Sequence, residues 1–164
     1  MRTSALLAPV LLLALAGCTP VVALQPADDA ADPACATVIV SLPDTVAGLP
    51  SRETNAQATG AWGEPTAVIL RCGVPSPAPT ATLPCVTVDG VDWLRDDSGD
   101  PNFVFTTYGR TPAVEVIVDS DGDPDVDNDG ASGLEALTDL ATAVQRLPVT
   151  GKCVAAEDAQ NLGG

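Results

Sequence analysis

The chain contains no histidine. That removes the side chain whose ordinary pKa suits general-base work near neutral pH, and with it a principal zinc ligand. No Cys-x-x-Cys pair is present to compensate. Nor does a Gly-x-Ser-x-Gly elbow appear. Cations are scarce: 7 Lys and Arg stand against 22 Asp and Glu, for a formal net charge of -15. Such a chain has no basic footprint and repels phosphate backbones, so nucleic acid is excluded as a partner. Aromatic residues make up 3% of the chain, as Trp62, Trp93, Phe103, Phe105 and Tyr108. Its core must be assembled from Ala, Val and Leu, small in side-chain volume, and covalent staples would help it.

What is present begins with an address. Arg2 precedes an apolar run from Ala5 to Ala16, and Leu15-Ala16-Gly17-Cys18 has the form of a bacterial lipobox. Residues 1–17 read as a lipoprotein signal peptide, and Cys18 as the acylated new N-terminus. An ordinary secretory signal and a membrane-spanning helix are the alternatives, but the run falls short of the roughly 20 residues a bilayer requires. Loss of Arg2 takes the net charge from -15 to -16. A surface this acidic also repels anionic headgroups, which leaves the acyl chains on Cys18 as the membrane attachment. The expected location is the extracellular face of the cytoplasmic membrane.

Thr19 to Ala31 is rich in Ala, Pro and Asp without periodicity, so residues 18–31 read as a flexible tether spanning on the order of 20 Å. From Cys35 onward about 130 residues remain, enough for one domain with one core. Residues 32–164 are therefore read as a single domain. Cys35, Cys72, Cys85 and Cys153 form an even set in an exported chain and imply two disulfides. Loop entropy gives roughly 8 kcal/mol in sum both for Cys35–Cys72 with Cys85–Cys153 and for Cys72–Cys85 with Cys35–Cys153. Energy does not choose between them. The stiff Pro-rich stretch between Cys72 and Cys85 favours the first.

Asp32-Pro33 is a helix start, and apolar spacings of three and four predict a short helix to about Leu42, although Thr37 to Val40 would also suit a strand. Strands are expected over Thr66 to Arg71, Cys85 to Val88, Val91 to Leu94, Asn102 to Tyr108 and Ala113 to Val118, with Asp89-Gly90 as a hairpin turn. Alternation places Phe103, Phe105 and Thr107 on one face of their strand, and Val114, Val116 and Val118 on one face of theirs. Ser132 to Leu147 is the clearest helix, with Ser132 and Glu135 as a capping box, an apolar stripe from Leu134 to Leu147, and Pro148 as the stop. The fold class is α+β: a small antiparallel sheet of about five strands, an N-terminal and a C-terminal helix packed on it, and two disulfides.

Asp125, Asp127, Asp129 and Gly130 match positions one, three, five and six of a calcium loop, inside an acidic insertion at 119–130. Position twelve falls on Ala136, and Glu135 is one residue short and committed to a cap. A solvated acidic link is the better reading, so no cofactor is expected, with calcium as the alternative at that loop. Asp92 and Glu115 are the carboxylates a cell-wall hydrolase could use, but with no nucleophile and no complete motif the chain is not expected to be an enzyme. A binding groove is the more economical function. Trp62, Trp93, Tyr108, Arg71 and Arg110, with Asp92 and Glu115, could hold a sugar ring, a carboxylate or an envelope protein. Tryptophan in so aromatic-poor a chain is more often core filling, and the arginines could pair with Asp92 or Glu115.

Ala34-Cys35 with Leu42-Pro43 and Val46-Ala47-Gly48, Ala61-Trp62-Gly63-Glu64-Pro65, Val68-Ile69-Leu70-Arg71-Cys72-Gly73-Val74-Pro75, Val88-Asp89-Gly90-Val91-Asp92-Trp93 and Thr106-Thr107-Tyr108-Gly109-Arg110-Thr111-Pro112-Ala113-Val114-Glu115-Val116 occur in that order. On these segments the sequence resembles the DUF3515 family of uncharacterised actinobacterial envelope proteins. Thr37 to Val40 is more β-branched than the family's first helix, and Asp119 to Asp129 looks like an insertion. The resemblance implies an exported, often lipid-anchored, single-domain protein and implies no activity. A ligand-binding or protein-binding module is expected; a purely structural envelope protein is the third reading.

Overall fold

The computed structural model describes residues 20–80, 82–121 and 130–153. Helix α1 spans Pro33–Ile39. Asp32 caps it by accepting the Ala34 N–H at 2.8 Å, and Pro33 occupies its first turn. It stops short of Leu42. The amides of Ser41 and Leu42 turn to the carbonyls three residues back, the β-branched run lowers helix propensity, and Pro43 blocks continuation.

Eight strands follow where about five were expected: β1 (Thr45–Val46), β2 (Leu49–Arg52), β3 (Thr59–Trp62), β4 (Val68–Val74), β5 (Cys85–Val88), β6 (Val91–Gly99), β7 (Asn102–Thr107) and β8 (Ala113–Asp119). They form one antiparallel sheet in the order β1-β2-β3-β4-β8-β7-β6-β5. The chain meanders from β1 to β4, crosses to the far edge, and meanders back until β8 pairs with β4. The added strands are β1, β2 and β3, of two to four residues. Val46 and Leu49 mimic a helical stripe, yet Ala47 and Gly48 both have positive φ, the geometry of a two-residue hairpin turn. The Asp89-Gly90 turn has the same geometry and joins β5 to β6 as expected.

Val68, Leu70, Cys72, Val114, Val116 and Val118 are buried on one face of the central pair. Phe103 and Phe105 lie opposite Val118 and Val116 and extend that face onto β7. Helix α2, Gly133–Val144, lays Leu137, Leu140, Ala141 and Val144 into the same core as Cys35 and Val38 of α1. Both helices therefore cover one face, and no helix among the described residues covers the other. Ser132 caps α2, its hydroxyl accepting the Glu135 N–H at 3.3 Å. Leu134, expected in the apolar stripe, is 67% exposed. It sits in the first turn, at the rim of the core.

One reading of the connections changes. The segment read as a tether is laid on the domain over residues 20–31: Val22 bridges to Thr54, the Asp29 N–H donates to the Gly73 carbonyl at 3.0 Å, and Ala27 and Ala30 are buried. Gly73 has a φ of 99°, and a Cβ there would overlap the Asp29 backbone. At the flanks of the acidic stretch after β8 the Ala131 N–H donates to the Asp119 carbonyl at 2.8 Å, while residues 122–129 lie outside the described residues. No helix among the described residues is long and apolar enough to cross a membrane.

Both disulfides form, as Cys35–Cys72 and Cys85–Cys153. The first ties α1 to β4 with both residues fully buried. Replacing both by alanine in Cys35→Ala/Cys72→Ala releases a loop of 37 residues and should lower stability by about 4 kcal/mol. Urea unfolding checks this: the midpoint should fall at nearly unchanged slope, and an unmoved midpoint would show the staple to be idle.

Candidate functional site

The residues proposed for a groove do not gather in one place: they divide between the core and the opposite face of the sheet. Trp62 and Trp93 lie in the core beneath the helices. The Trp62 indole N–H donates to the Pro43 carbonyl at 3.1 Å, and its ring packs so close to Gly60 that a Cβ there would approach it to 2.7 Å. The Trp93 indole nitrogen is buried without a hydrogen-bond partner, which costs about 1–3 kcal/mol and marks the ring as filling volume. The aromatic half of the proposed groove is thus core, as the scarcity of aromatics allows.

Arg71 and Glu115 face each other across β4 and β8 on the helix-free face, 3.2 Å apart and both partly exposed. Asp92 projects from β6 on that same face. Its carboxylate accepts the Thr87 hydroxyl at 2.6 Å and the Cys153 N–H at 2.8 Å. It therefore fastens the C-terminal segment to β5 and β6, beside the Cys85–Cys153 bond. In the register, Glu115 stands opposite Thr106, and Thr106 opposite Leu94, two residues from Asp92. Two strand spacings, about 10 Å, already separate the two carboxylates before that offset is added. Both Asp92 oxygens and one Glu115 oxygen hold structural partners, and the separation exceeds the roughly 5–9.5 Å that paired glycosidase carboxylates span.

Arg110 is 4% exposed and belongs to the framework. Its guanidinium donates to the Leu147 carbonyl at 2.5 Å, just beyond α2. Burial lowers its pKa from the ordinary arginine value, and the nearby Asp92 charge partly restores it. The strand-like contact of Arg110 with Val149, and the Thr150 N–H donated to Gly109 at 2.7 Å, complete the seam. A side chain on Gly109 would collide with Gly151, so the close crossing needs glycine at a φ of 65°. Tyr108, whose N–H donates to the Asp92 carbonyl at 2.8 Å, lines a depression of about 90 Å³ with Pro79, Leu94 and the Cys85–Cys153 bridge.

Two larger depressions involve residues that sequence reasoning passed over. One of about 480 Å³ lies at the start of α2, between Arg95, Phe103, Phe105 and Leu134, with the Arg95 guanidinium 4.9 Å from the Phe103 ring centre. The other, about 250 Å³, runs along α1 past Pro33, Ala36, Ile39 and Val40. Arg95 was hidden because the strand it belongs to runs past Leu94 to Gly99. Nearby Asp96, partly exposed, is held below the usual carboxylate pKa by the Ser98 hydroxyl and then by the Ser98 N–H. Asp125, Asp127 and Asp129 lie outside the described residues, as does Cys18. Among the described residues no group of three or more His, Cys, Asp or Glu could hold a metal ion.

Substitution separates the two arginines. Arg110→Met keeps the apolar stem but strips the Leu147 carbonyl of a buried donor, and should cost about 1–3 kcal/mol in urea unfolding. Arg71→Met removes one side of a partly exposed pair and should cost under about 1 kcal/mol. The opposite ranking would show that Arg110 does not pin the C-terminal segment.

Comparison with known proteins gives one family. No curated protein matches the chain, and no solved structure does. The family model for DUF3515, described as a protein of unknown function, matches residues 4–151. Nearly the whole chain lies inside that match, and the protein belongs to the DUF3515 family.

Proposed function

We propose that this is a lipid-anchored protein of the cell envelope, held on the extracellular face of the cytoplasmic membrane, whose domain works by binding another envelope protein. The cysteine pairing carries the first part. Four of the five cysteines are consumed in two disulfides, a state suited to an oxidising compartment. The fifth is Cys18, at the end of the lipobox. Acylation there, after removal of residues 1–17, gives that cysteine a use and gives the domain its membrane attachment.

The second part rests on which surfaces are spoken for. Trp62, Trp93 and Arg110 fill or lock the core and are withdrawn from ligand recognition. The helix-free face of the sheet keeps Ile69, Ile117 and Val104 in register across β4, β8 and β7, with the Arg71–Glu115 pair beside them. A mixed apolar and charged strand surface suits a protein partner better than a small ring. The committed state of Asp92 and Glu115 supports a non-enzymatic role. The reading uses no cofactor.

Intact mass of the protein extracted from membranes tests the anchor: a chain beginning at Cys18 and carrying acyl groups is expected. Cys18→Ala should leave the membrane fraction. A full-length or lipid-free membrane form would overturn the anchor. Binding is tested in intact cells with a photo-crosslinking residue at Ile117 and, as control, at Arg146 on the helix side. A discrete protein adduct from position 117 alone is expected; none at 117, or the same adduct at both, would remove the sheet face from consideration.

A further inference from the structure

We infer that the domain has a lipid-facing corner, where the N-terminal segment meets β2 and the β3–β4 turn, and that it rests there on the membrane surface. The inference depends on Cys18 being the acylated first residue, as proposed above. Only Thr19 then separates Cys18 from Pro20, at most about 7 Å of chain.

Pro20 is held to the domain. Its carbonyl accepts the Arg52 guanidinium at 2.8 Å. Beyond it, the Val22 N–H donates to Glu53 at 2.8 Å, the Asn55 N–H donates to Val22 at 3.3 Å, and the Leu24 N–H donates to the Asn55 side chain at 2.8 Å. A free tether would let the domain float above the headgroups in any orientation. With Thr19 alone as slack, the acyl chains enter the bilayer directly beside this corner.

The surface there suits the position. Arg52, with a side chain 8% exposed, also donates to the Gly63 carbonyl at 2.8 Å and pairs with the Glu64 carboxylate. The Gly63 N–H in turn donates to the Pro50 carbonyl at 3.0 Å, which draws β2 and the β3–β4 turn together. Around this buckle lie the exposed Pro20, Pro50 and Pro65, with Val21 at 49% exposure. Glu64 is matched by Arg52, so the buckle itself is internally neutralised in a chain whose net charge is -15, with the exposed Asp44 and Glu53 at its border. Neutral apolar contact with headgroups avoids the repulsion that the rest of the surface would meet. The opposite edge carries the Cys85–Cys153 bond on β5 and is turned away.

The test uses the processed, acylated full chain in phosphatidylcholine and phosphatidylglycerol vesicles whose acyl chains carry bromine, a short-range quencher of indole. Val21→Trp should lose fluorescence relative to unbrominated vesicles, and Lys152→Trp, next to Cys153, should not. The parent protein supplies the background from Trp62 and Trp93. Equal quenching of the two variants, or none in either, in protein that floats with the vesicles would overturn the lipid-facing corner while leaving the anchor intact. Protein that neither floats with vesicles nor carries acyl mass would show instead that the anchor reading has failed, and the corner falls with it.

Discussion

The Cys35–Cys72 bond joins a helix of seven residues to a central strand of the sheet, and the N-terminal half of the molecule is organised around it. A helix that short is far below the length at which helicity sustains itself in water. Its order comes from the bond, from the Asp32 cap and from Val38 in the core. With α1 fixed on β4, residues 27–30 are brought over Gly73, and the segment before them reaches β2 and the turn after it. The second bond acts at the other end of the chain in the same manner. There Cys153, Asp92 and Arg110 hold the strand-like tail against β5, β6 and the loop after β7. A core built from Ala, Val and Leu is thus closed at both ends by covalent bonds and by buried polar clasps.

The legible parts of this fold are those whose signal is local. Alternation in Phe103 to Thr107 and in Val114 to Val118, the primed turn at Asp89-Gly90, and the Ser132 cap with its following stripe are each written in a few adjacent residues. They appear in the structure close to where expected. The parts that were not legible depend on distant partners. Thr45-Val46 and Leu49 to Arg52 are too short to show a period of two, and they become strands because β3 presents an edge to them. Residues 20–31 have no periodicity at all, yet they are ordered by Arg52, Asn55 and Gly73. No local pattern could announce that.

The residues of the expected groove are parted for a related physical reason. Large polar-tipped residues were grouped because they fall near strand ends, but a strand places successive side chains on opposite faces. Trp93 and Asp92 are neighbours in sequence and lie on opposite sides of the sheet, one under α2 and one beside the exposed disulfide. Arg71 lies likewise between Leu70 and Cys72, which are core. The alternative use for the arginines was half right in kind: Arg71 does pair with Glu115, whereas Arg110 takes a backbone carbonyl and meets Asp92 only through charge.

Strong acidity and a one-sided sheet set complementary limits on what the molecule can contact. Both helices are spent on a single face, and among the described residues no helix lies on the strand face opposite them. Its central pair of strands alternates core residues with Ile69, Arg71, Glu115 and Ile117, which gives that face an apolar centre with its nearest charges already paired. A partner approaching there would bury Ile69 and Ile117 without separating Arg71 from Glu115, so it would gain apolar contact while keeping the ion pair satisfied. The same logic holds at the N-terminal corner, where Arg52 answers Glu64 beneath exposed prolines. In a chain with 22 acidic residues against 7 basic ones, three of the arginines are placed where they neutralise a carboxylate: Arg52, Arg71 and Arg95. Two of those pairs mark the surfaces assigned to contact, and the third, between Arg95 and Asp97, borders the depression at the start of α2.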